Sequence, residues 1–386
     1  MEEQQQPLAE RLDLFACIQC GKCTGGCPVS IRSPLNIRKV IRESTVREDL
    51  HIFFNRLEIW DCTTCSTCAI RCPRGLSPVD AIIGLREMMV EEGKIEKTVI
   101  DALDGAYKYG NPWGRAKNKR AEWAQDLDIP NAMEMEPGQV LYFVCCAASY
   151  DPRIQVIAKS LVAVLRAAGV SFGILGNKEV CCGSEIRRMG EAGLFEMLME
   201  ENMKNFAKID PGVIVTTSPH CMNALKNDYD GLGCDVKHYS QFVWGLIEEG
   251  KLTFDTPVPM KVTYHDPCYL GKQNGVFDEP RDILKSIPGI DFVEFGRCRE
   301  NSLCCEGGGG RMWMEGTGIG KRLSEVRVED ALEMGVEAII TACPFCLLTL
   351  EDAVKTTGNE EKLKVIDLME LASMAIGNSP ETENEF

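Results

Sequence analysis

The sequence predicts an α+β chain: a small helical N-terminal domain followed by a tandem pair of α/β domains. Three observations carry that reading. Two cysteine runs of identical spacing lie within residues 1–95, at 17–28 and 62–73. Two later stretches, 138–258 and 259–378, repeat each other in strand-like segments and in cysteine positions. Finally, 20 cysteines among 386 residues stand against only 4 histidines.

The totals restrict the class before any motif is read. A length of 386 residues suggests two or three domains. With 45% apolar and 26% charged residues the composition is that of an ordinary globular protein. A formal charge of −16 disfavours a nucleic-acid partner, because an acidic surface repels phosphate. No apolar run approaches the ~18–20 residues that span a bilayer, and MEEQQQPLAER lacks the features of a signal peptide. The expectation is a cytoplasmic chain, with any membrane contact made through a partner. Cytosolic thiols stay reduced, so this many cysteines point to metal or redox chemistry. Scarce imidazole turns that toward all-thiolate iron–sulfur sites.

The N-terminal elements follow from periodicity. SPLNIRKVIRES, EDLHIFFNRLEIW and VDAIIGLREMMVEEG each read as amphipathic helices. Around them, Cys17-x2-Cys20-x2-Cys23-x3-Cys27-Pro28 and Cys62-x2-Cys65-x2-Cys68-x3-Cys72-Pro73 are two copies of the bacterial ferredoxin run. Three cysteines at i, i+3 and i+6 wrap three corners of a cubane, and the fourth reaches the other cluster. One 4Fe–4S cubane is therefore assigned to Cys17, Cys20, Cys23 and Cys72, and the other to Cys62, Cys65, Cys68 and Cys27. Structural zinc would favour two separated CxxC pairs instead. Residues 96–137, with turn signals at 109–114 and the basic RAKNKR, read as a connector.

The duplication rests on matched anchors. QVLYFVCC aligns with MKVTYHDPC, VCCGSEIRRMG with LCCEGGGGRMW, and GVIVTTSPHC with EAIITACPFC. The offset is 122 residues for Cys146 to Cys268, 123 for Cys181 to Cys304 and 125 for Cys221 to Cys346. Within each copy strands alternate with helices. Ile154, Ile157, Leu161, Val164 and Leu165 keep helical spacing, as do Phe195, Met199, Met203 and Phe206. Such alternation implies a parallel sheet with its site at the C-terminal strand ends. NSPETENEF closes the chain as an acidic tail, with 379–386 outside the domains.

Each repeat carries one cysteine, then an adjacent pair, then a CxxC. The second is complete: Cys268, Cys304, Cys305, Cys343 and Cys346. Neighbouring side chains point apart, so Cys304 and Cys305 suit a larger or opened cluster better than adjacent corners of one cube.

YFVCCAASYDPR, VCCG, HDPCYLG and TACPFC resemble the cysteine-rich (CCG) repeats of heterodisulfide reductase. The resemblance is to the fused, D-type form, in which the ferredoxin-like and catalytic parts share one chain. Similar repeats occur in the iron–sulfur subunits of glycolate oxidase and lactate-utilisation complexes. The resemblance covers roughly residues 10–375. It implies a noncubane 4Fe–4S cluster for each complete five-cysteine motif. It also implies two-electron disulfide chemistry in one-electron steps, with Cys268, Cys304, Cys305, Cys343 and Cys346 holding the catalytic cluster. The alternative is a pure electron relay between a flavoprotein, a ferredoxin-linked enzyme or a membrane quinone-linked partner.

Two departures from that pattern stand out. In the first repeat the family's CxxC would begin at Ser218, leaving Cys146, Cys181, Cys182 and Cys221. A cubane on four thiolates, ligation by the Ser218 oxygen and an empty site all stay open there. Cys145 stands where the family usually has glycine and is open to substituting. Otherwise Cys145, Cys234 and Cys298 read as small buried hydrophobes. In the second repeat the glycine after the cysteine pair is Glu306, read either as tuning the cluster or as solvated. His265 and Asp266 are candidate proton relays to a released thiolate, with structural roles equally open, and His220 is a weaker one. Gly307–Gly310 read as room for backbone amides near cluster sulfurs. GTGIGKR at 316–322 fits neither a dinucleotide fingerprint nor a P-loop, so any flavin belongs to another subunit.

Overall fold

The architecture is that of a computed structural model, which describes residues 6–47, 49–314 and 316–378. The acidic tail at 379–386 lies outside the described residues.

The two repeats build two four-stranded, wholly parallel sheets. In the first, β1 (Val140–Phe143), β2 (Phe172–Gly173), β3 (Val213–Thr216) and β4 (Asp235–His238) lie in the order β2-β1-β3-β4. In the second, β5 (Met260–Tyr264), β6 (Ile290–Phe292), β7 (Ala338–Thr341) and β8 (Lys364–Asp367) lie in the order β6-β5-β7-β8. The order is the same in both, as a duplication requires. Both directions of winding start from the central pair, so the crevice opens beyond the C-terminal ends of β1/β3 and of β5/β7. The central strands carry the apolar runs expected where both faces are covered: Leu141 and Phe143, Ile214 and Val215, Ile339 and Ile340 are all buried.

Local sequence sets the crossover helices. Asp151 accepts the N–H groups of Arg153 and Ile154, and Pro152 takes the first helical position of Pro152–Ala167. Asp367 likewise accepts the Met369 N–H to start Leu368–Ala375, and these two helices pack together across the repeats. Their contact is tied by Arg153, which pairs with Glu351 at 2.6 Å and Glu370 at 3.0 Å. Tyr239 adds a hydroxyl donated to Asp367. The repeats therefore share one core.

The N-terminal domain is built on helices Ile37–Val46, capped by Asn36, and Pro78–Glu91. Residues 49–61 differ from expectation: instead of an amphipathic helix they form two 3₁₀ turns, His51–Phe53 and Leu57–Asp61. Those turns still bury Phe53, Ile59 and Trp60 beneath the second cysteine run. The connector is ordered against both repeats, through Arg120 on Glu179 of the first and Trp113 on Trp313 and Phe345 of the second. It contributes helix Lys97–Tyr109 and a parallel bridge from Asn131 to Ile174 at the edge beyond β2. No helix among the described residues is long and apolar enough to cross a membrane.

Candidate iron–sulfur centres

In the N-terminal domain the two runs cross over. Cys17, Cys20, Cys23 and Cys72 line one cavity together with Arg38, Arg74 and Leu76. Cys62, Cys65, Cys68 and Cys27 line a second with Val29, Ile37 and Val79. Each space is walled by four thiols and otherwise mainly apolar, a donor set that fits a 4Fe–4S cubane. Their exposure differs. Cys20 is exposed, with Phe15 and Ile18 about 60% exposed beside it, whereas Cys62, Cys65 and Cys68 are buried. Burial pushes the Cys62 thiol up to about 12, so only a bound cation would keep it a thiolate.

The second-repeat site assembles at the switch point. Cys268 follows β5, Cys304 and Cys305 follow β6, and Cys343 and Cys346 open helix Pro344–Thr356 after β7. The Cys346 thiol donates to the Cys305 sulfur at 3.3 Å, and Cys304 is close enough to Cys268 and Cys305, and Cys346 to Cys343, for each to perturb the other. The neighbours Cys304 and Cys305 meet different partners, Thr63 at 3.2 Å and Cys346 at 3.3 Å. The chain turns there, with Glu306 at φ 69°, and brings both sulfurs to one site. The N–H groups of Glu306 and Gly307 reach the Cys304 and Cys305 sulfurs at 3.3 and 3.5 Å.

The remaining glycines serve another purpose. A Cβ on Gly309, at φ 67°, would sit 2.8 Å from the Cys62 carbonyl oxygen. Their smallness lets the ferredoxin loop press onto the second-repeat site. That contact is direct: Thr63, next to Cys62, meets the Cys304 thiol at 3.2 Å. Thr64 shares a 2.5 Å hydrogen bond with the Tyr269 hydroxyl. The buried Arg86 ties the junction, donating to the carbonyls of Ile59 and Cys62 on one side and of Arg188 and Gly309 on the other.

Several single residues land elsewhere than the sequence suggested. Glu306 is neither solvated nor aimed at sulfur. It pairs with Arg32 of the N-terminal domain at 2.9 Å and accepts the Leu323 N–H, starting helix Leu323–Glu333. Asp266 is held in a buried pair with Arg281 at 2.7 Å, so it is a structural anion rather than a relay. His265 is buried and stands with Cys305 and Cys346, their ligand atoms within 4.8 Å of one another. His220 belongs to the second site although it neighbours Cys221 in sequence. It stacks on Tyr269 with ring centres 4.0 Å apart, hydrogen-bonds Glu185 at 2.8 Å and reaches the Cys343 thiol. Burial alone would keep that imidazole neutral, but the Glu185 carboxylate and Cys343 raise it to about 10. Nothing in one-dimensional spacing signals a contact that crosses between repeats.

In the first repeat, Cys146 follows β1, Cys181 and Cys182 follow β2, and Cys221 lies in helix Pro219–Asn223 after β3. Ser218 is spent as a cap, its hydroxyl accepting the His220 N–H at 3.2 Å. Cys145 is not an idle hydrophobe, since it is buried and close enough to Cys221 to perturb that thiol. Arg120 from the connector reaches the Cys146 sulfur at 3.4 Å and pairs with Glu179 at 2.6 Å. Cys234 and Cys298 are partly exposed.

Two cysteine-walled cavities beside a five-cysteine site at a parallel-sheet switch point fit an iron–sulfur protein. The sequence comparisons agree. A 4Fe-4S dicluster domain matches residues 16–76, and a cysteine-rich domain of the CCG class matches residues 140–226 and 262–351. The chain belongs to the family of iron–sulfur oxidoreductases that includes the fused, D-type form of heterodisulfide reductase. It is 36% identical to the probable iron-sulfur-binding oxidoreductase FadF of Bacillus subtilis, over 95% of this chain and 60% of that protein. It is 32% identical to the EtfAB:quinone oxidoreductase of Syntrophomonas wolfei, over 93% of this chain and 58% of that protein. A third relative is a subunit of the dihydromethanophenazine:CoB--CoM heterodisulfide reductase of Methanosarcina barkeri, at 29% identity over 95% of both chains. The chain thus spans about 60% of the length of the first two relatives.

Proposed function

We propose that this chain is an electron-conducting subunit whose N-terminal domain, residues 1–95, feeds the second repeat, residues 259–378. Cys17, Cys20, Cys23 and Cys72 hold one cubane and Cys62, Cys65, Cys68 and Cys27 the other. Cys268, Cys304, Cys305, Cys343 and Cys346 hold a noncubane 4Fe–4S cluster. When bound, such clusters supply one-electron transfer. The observation that supports this reading is the Thr63–Cys304 contact, which joins the second cysteine run to the second-repeat site through one side chain.

The chain's own residues fit a relay. Exposed Cys20, with Phe15 and Ile18, offers an apolar docking face at the first cavity. At the other end, Cys304, Cys305, Cys343 and Cys346 are at most 5% exposed, and only Cys268 of the five is partly so. That burial favours passing electrons to a partner over direct attack on a bulky disulfide. The partner class is a flavoprotein, a ferredoxin-linked enzyme or a quinone-linked subunit. The name of the Syntrophomonas relative points the same way. In the disulfide-reducing reading, His265 and His220 are the groups placed to hold a proton beside the sulfurs.

The test is to reduce the anaerobic holoprotein with dithionite, remove the excess, and offer either a flavodoxin-type acceptor or a mixed alkyl disulfide. The relay reading expects reoxidation by the flavin acceptor with no thiol released from the disulfide. Stoichiometric thiol release would establish the disulfide-reducing reading instead. Failure with both acceptors would overturn the two together.

A further inference from the structure

The first repeat lacks the cysteine that opens the CxxC of its twin, yet it still gathers five buried thiols. Each of these thiols lies close enough to perturb the next along the series Cys146, Cys181, Cys182, Cys221 and Cys145, all of them buried. The second repeat runs Cys268 to Cys304, Cys304 to Cys305, Cys305 to Cys346, and Cys346 to Cys343. Each member of one series matches its duplicate in the other until the last. There Cys145 stands against Cys221 as Cys343 stands against Cys346. The sulfur lost from position 218, after β3, has returned at the C-terminal end of the neighbouring parallel strand β1.

The backbone at Cys145 is built for this. Its φ of 76° and ψ of 161° lie in a region that is essentially glycine-only. An ordinary buried cysteine has no reason to be held there. Glu179 holds it, accepting the Val144 N–H at 2.9 Å and the Cys145 N–H at 3.0 Å. Glu179 is itself 1% exposed and is fixed by Arg120, whose guanidinium also touches the Cys146 sulfur. The duplicate position is Pro267, which has no N–H and cannot take a positive φ, so the device belongs to the first repeat alone. Ser218, meanwhile, is engaged with its own helix.

We propose that the first repeat holds an iron–sulfur cluster on five thiolates, Cys145, Cys146, Cys181, Cys182 and Cys221, with Cys145 supplying the ligand that Cys343 supplies in the second repeat. The proposal rests on the reading that the second repeat binds such a cluster. It makes Ser218 a helix cap and not a ligand. It also makes the Arg120–Glu179 pair a positioning device for Cys145, with a fixed positive charge beside Cys146.

The test compares the anaerobically reconstituted full chain with Cys145→Gly, Ser218→Ala and the double variant Cys145→Gly/Ser218→Cys. Iron, acid-labile sulfide and Mössbauer spectra are measured for each. Glycine takes φ 76° without strain, so Cys145→Gly keeps the fold, which the thermal unfolding of the iron-free chain checks. The wild type is expected to bind about 16 irons, roughly four per cluster. Cys145→Gly is expected to lose one spectral component together with about four of those irons. Ser218→Ala keeps the wild-type spectrum, and the double variant recovers iron by returning the cysteine to its duplicate position. A wild-type iron content and spectrum in Cys145→Gly would overturn the proposal. So would a wild type holding about 12 irons, which leaves the second-repeat reading standing. A wild type with about 8 irons would sink both.

Discussion

The Thr63–Cys304 contact yields a quantitative expectation. A protonated Cys304 thiol donates to Thr63 across 3.2 Å. A cysteine that ligates iron has lost its proton, so in the holoprotein the Thr63 hydroxyl must be the donor. The acceptor sulfur becomes more negative on reduction, which makes that hydrogen bond stronger in the reduced state. Thr63→Val keeps the shape of this 2%-exposed residue and removes only the donor. A hydrogen bond of this kind contributes about 1 kcal/mol net. For a one-electron couple ~59 mV corresponds to a tenfold change, so the midpoint potential should fall by about 40 mV. The full energy counts only if the bond is absent in the oxidised state, so this is an upper figure. An EPR-monitored redox titration of wild type and Thr63→Val reads the shift. The potential of the Cys17, Cys20, Cys23 and Cys72 cluster should stay fixed. An unchanged or raised second-repeat potential would refute the reasoning.

Three further outcomes follow from buried charges. Arg86→Met leaves the carbonyls of Ile59, Cys62, Arg188 and Gly309 without their shared donor. It should cost more than ~3 kcal/mol and speed proteolytic release of the N-terminal domain. Glu306→Ala and Glu306→Gly both lose the Arg32 pair and the Leu323 contact, but only alanine is strained at φ 69°. Denaturation should therefore find the glycine variant more stable by about 1 kcal/mol. Burial holds the Asp367 carboxyl well above its ordinary range. A raised folded-state value stabilises in acid and is lost as pH rises from ~4 toward that value. Asp367→Asn keeps an oxygen for Met369 N–H and Tyr239, so its gain in unfolding temperature should grow from pH ~4 to pH ~8; a shrinking gain would contradict this.

Much of the fold is legible in residue spacing, because its causes are local or periodic. The continuous apolar runs of Val140–Phe143 and Val213–Thr216 and the helical stripe of Ile154, Ile157 and Leu161 need no tertiary information. Residues 49–61 are the exception. His51–Phe53 and Leu57–Asp61 have apolar residues enough for a helix, but they are drawn into 3₁₀ turns by the need to bury Phe53, Ile59 and Trp60. The candidate site divides the same way. The crossed cysteine sets of the N-terminal domain follow from loop reach alone, and they line two separate cavities. Contacts between modules are invisible to spacing. His220 works beside Cys343 rather than Cys221, and Glu306 turns from the cluster to Arg32. Cys145 joins the sulfurs only because Glu179, 34 residues away, holds its backbone.

If the second cysteine run of the N-terminal domain hands electrons to the second-repeat site, the two clusters must sense each other magnetically. In dithionite-reduced protein, EPR should show spin–spin broadening shared by the Cys62, Cys65, Cys68 and Cys27 cluster and the second-repeat cluster. Replacing Cys304 with serine should remove that broadening while the cubane signals persist. Sharp, independently relaxing signals in the reduced wild type would contradict the proposed path.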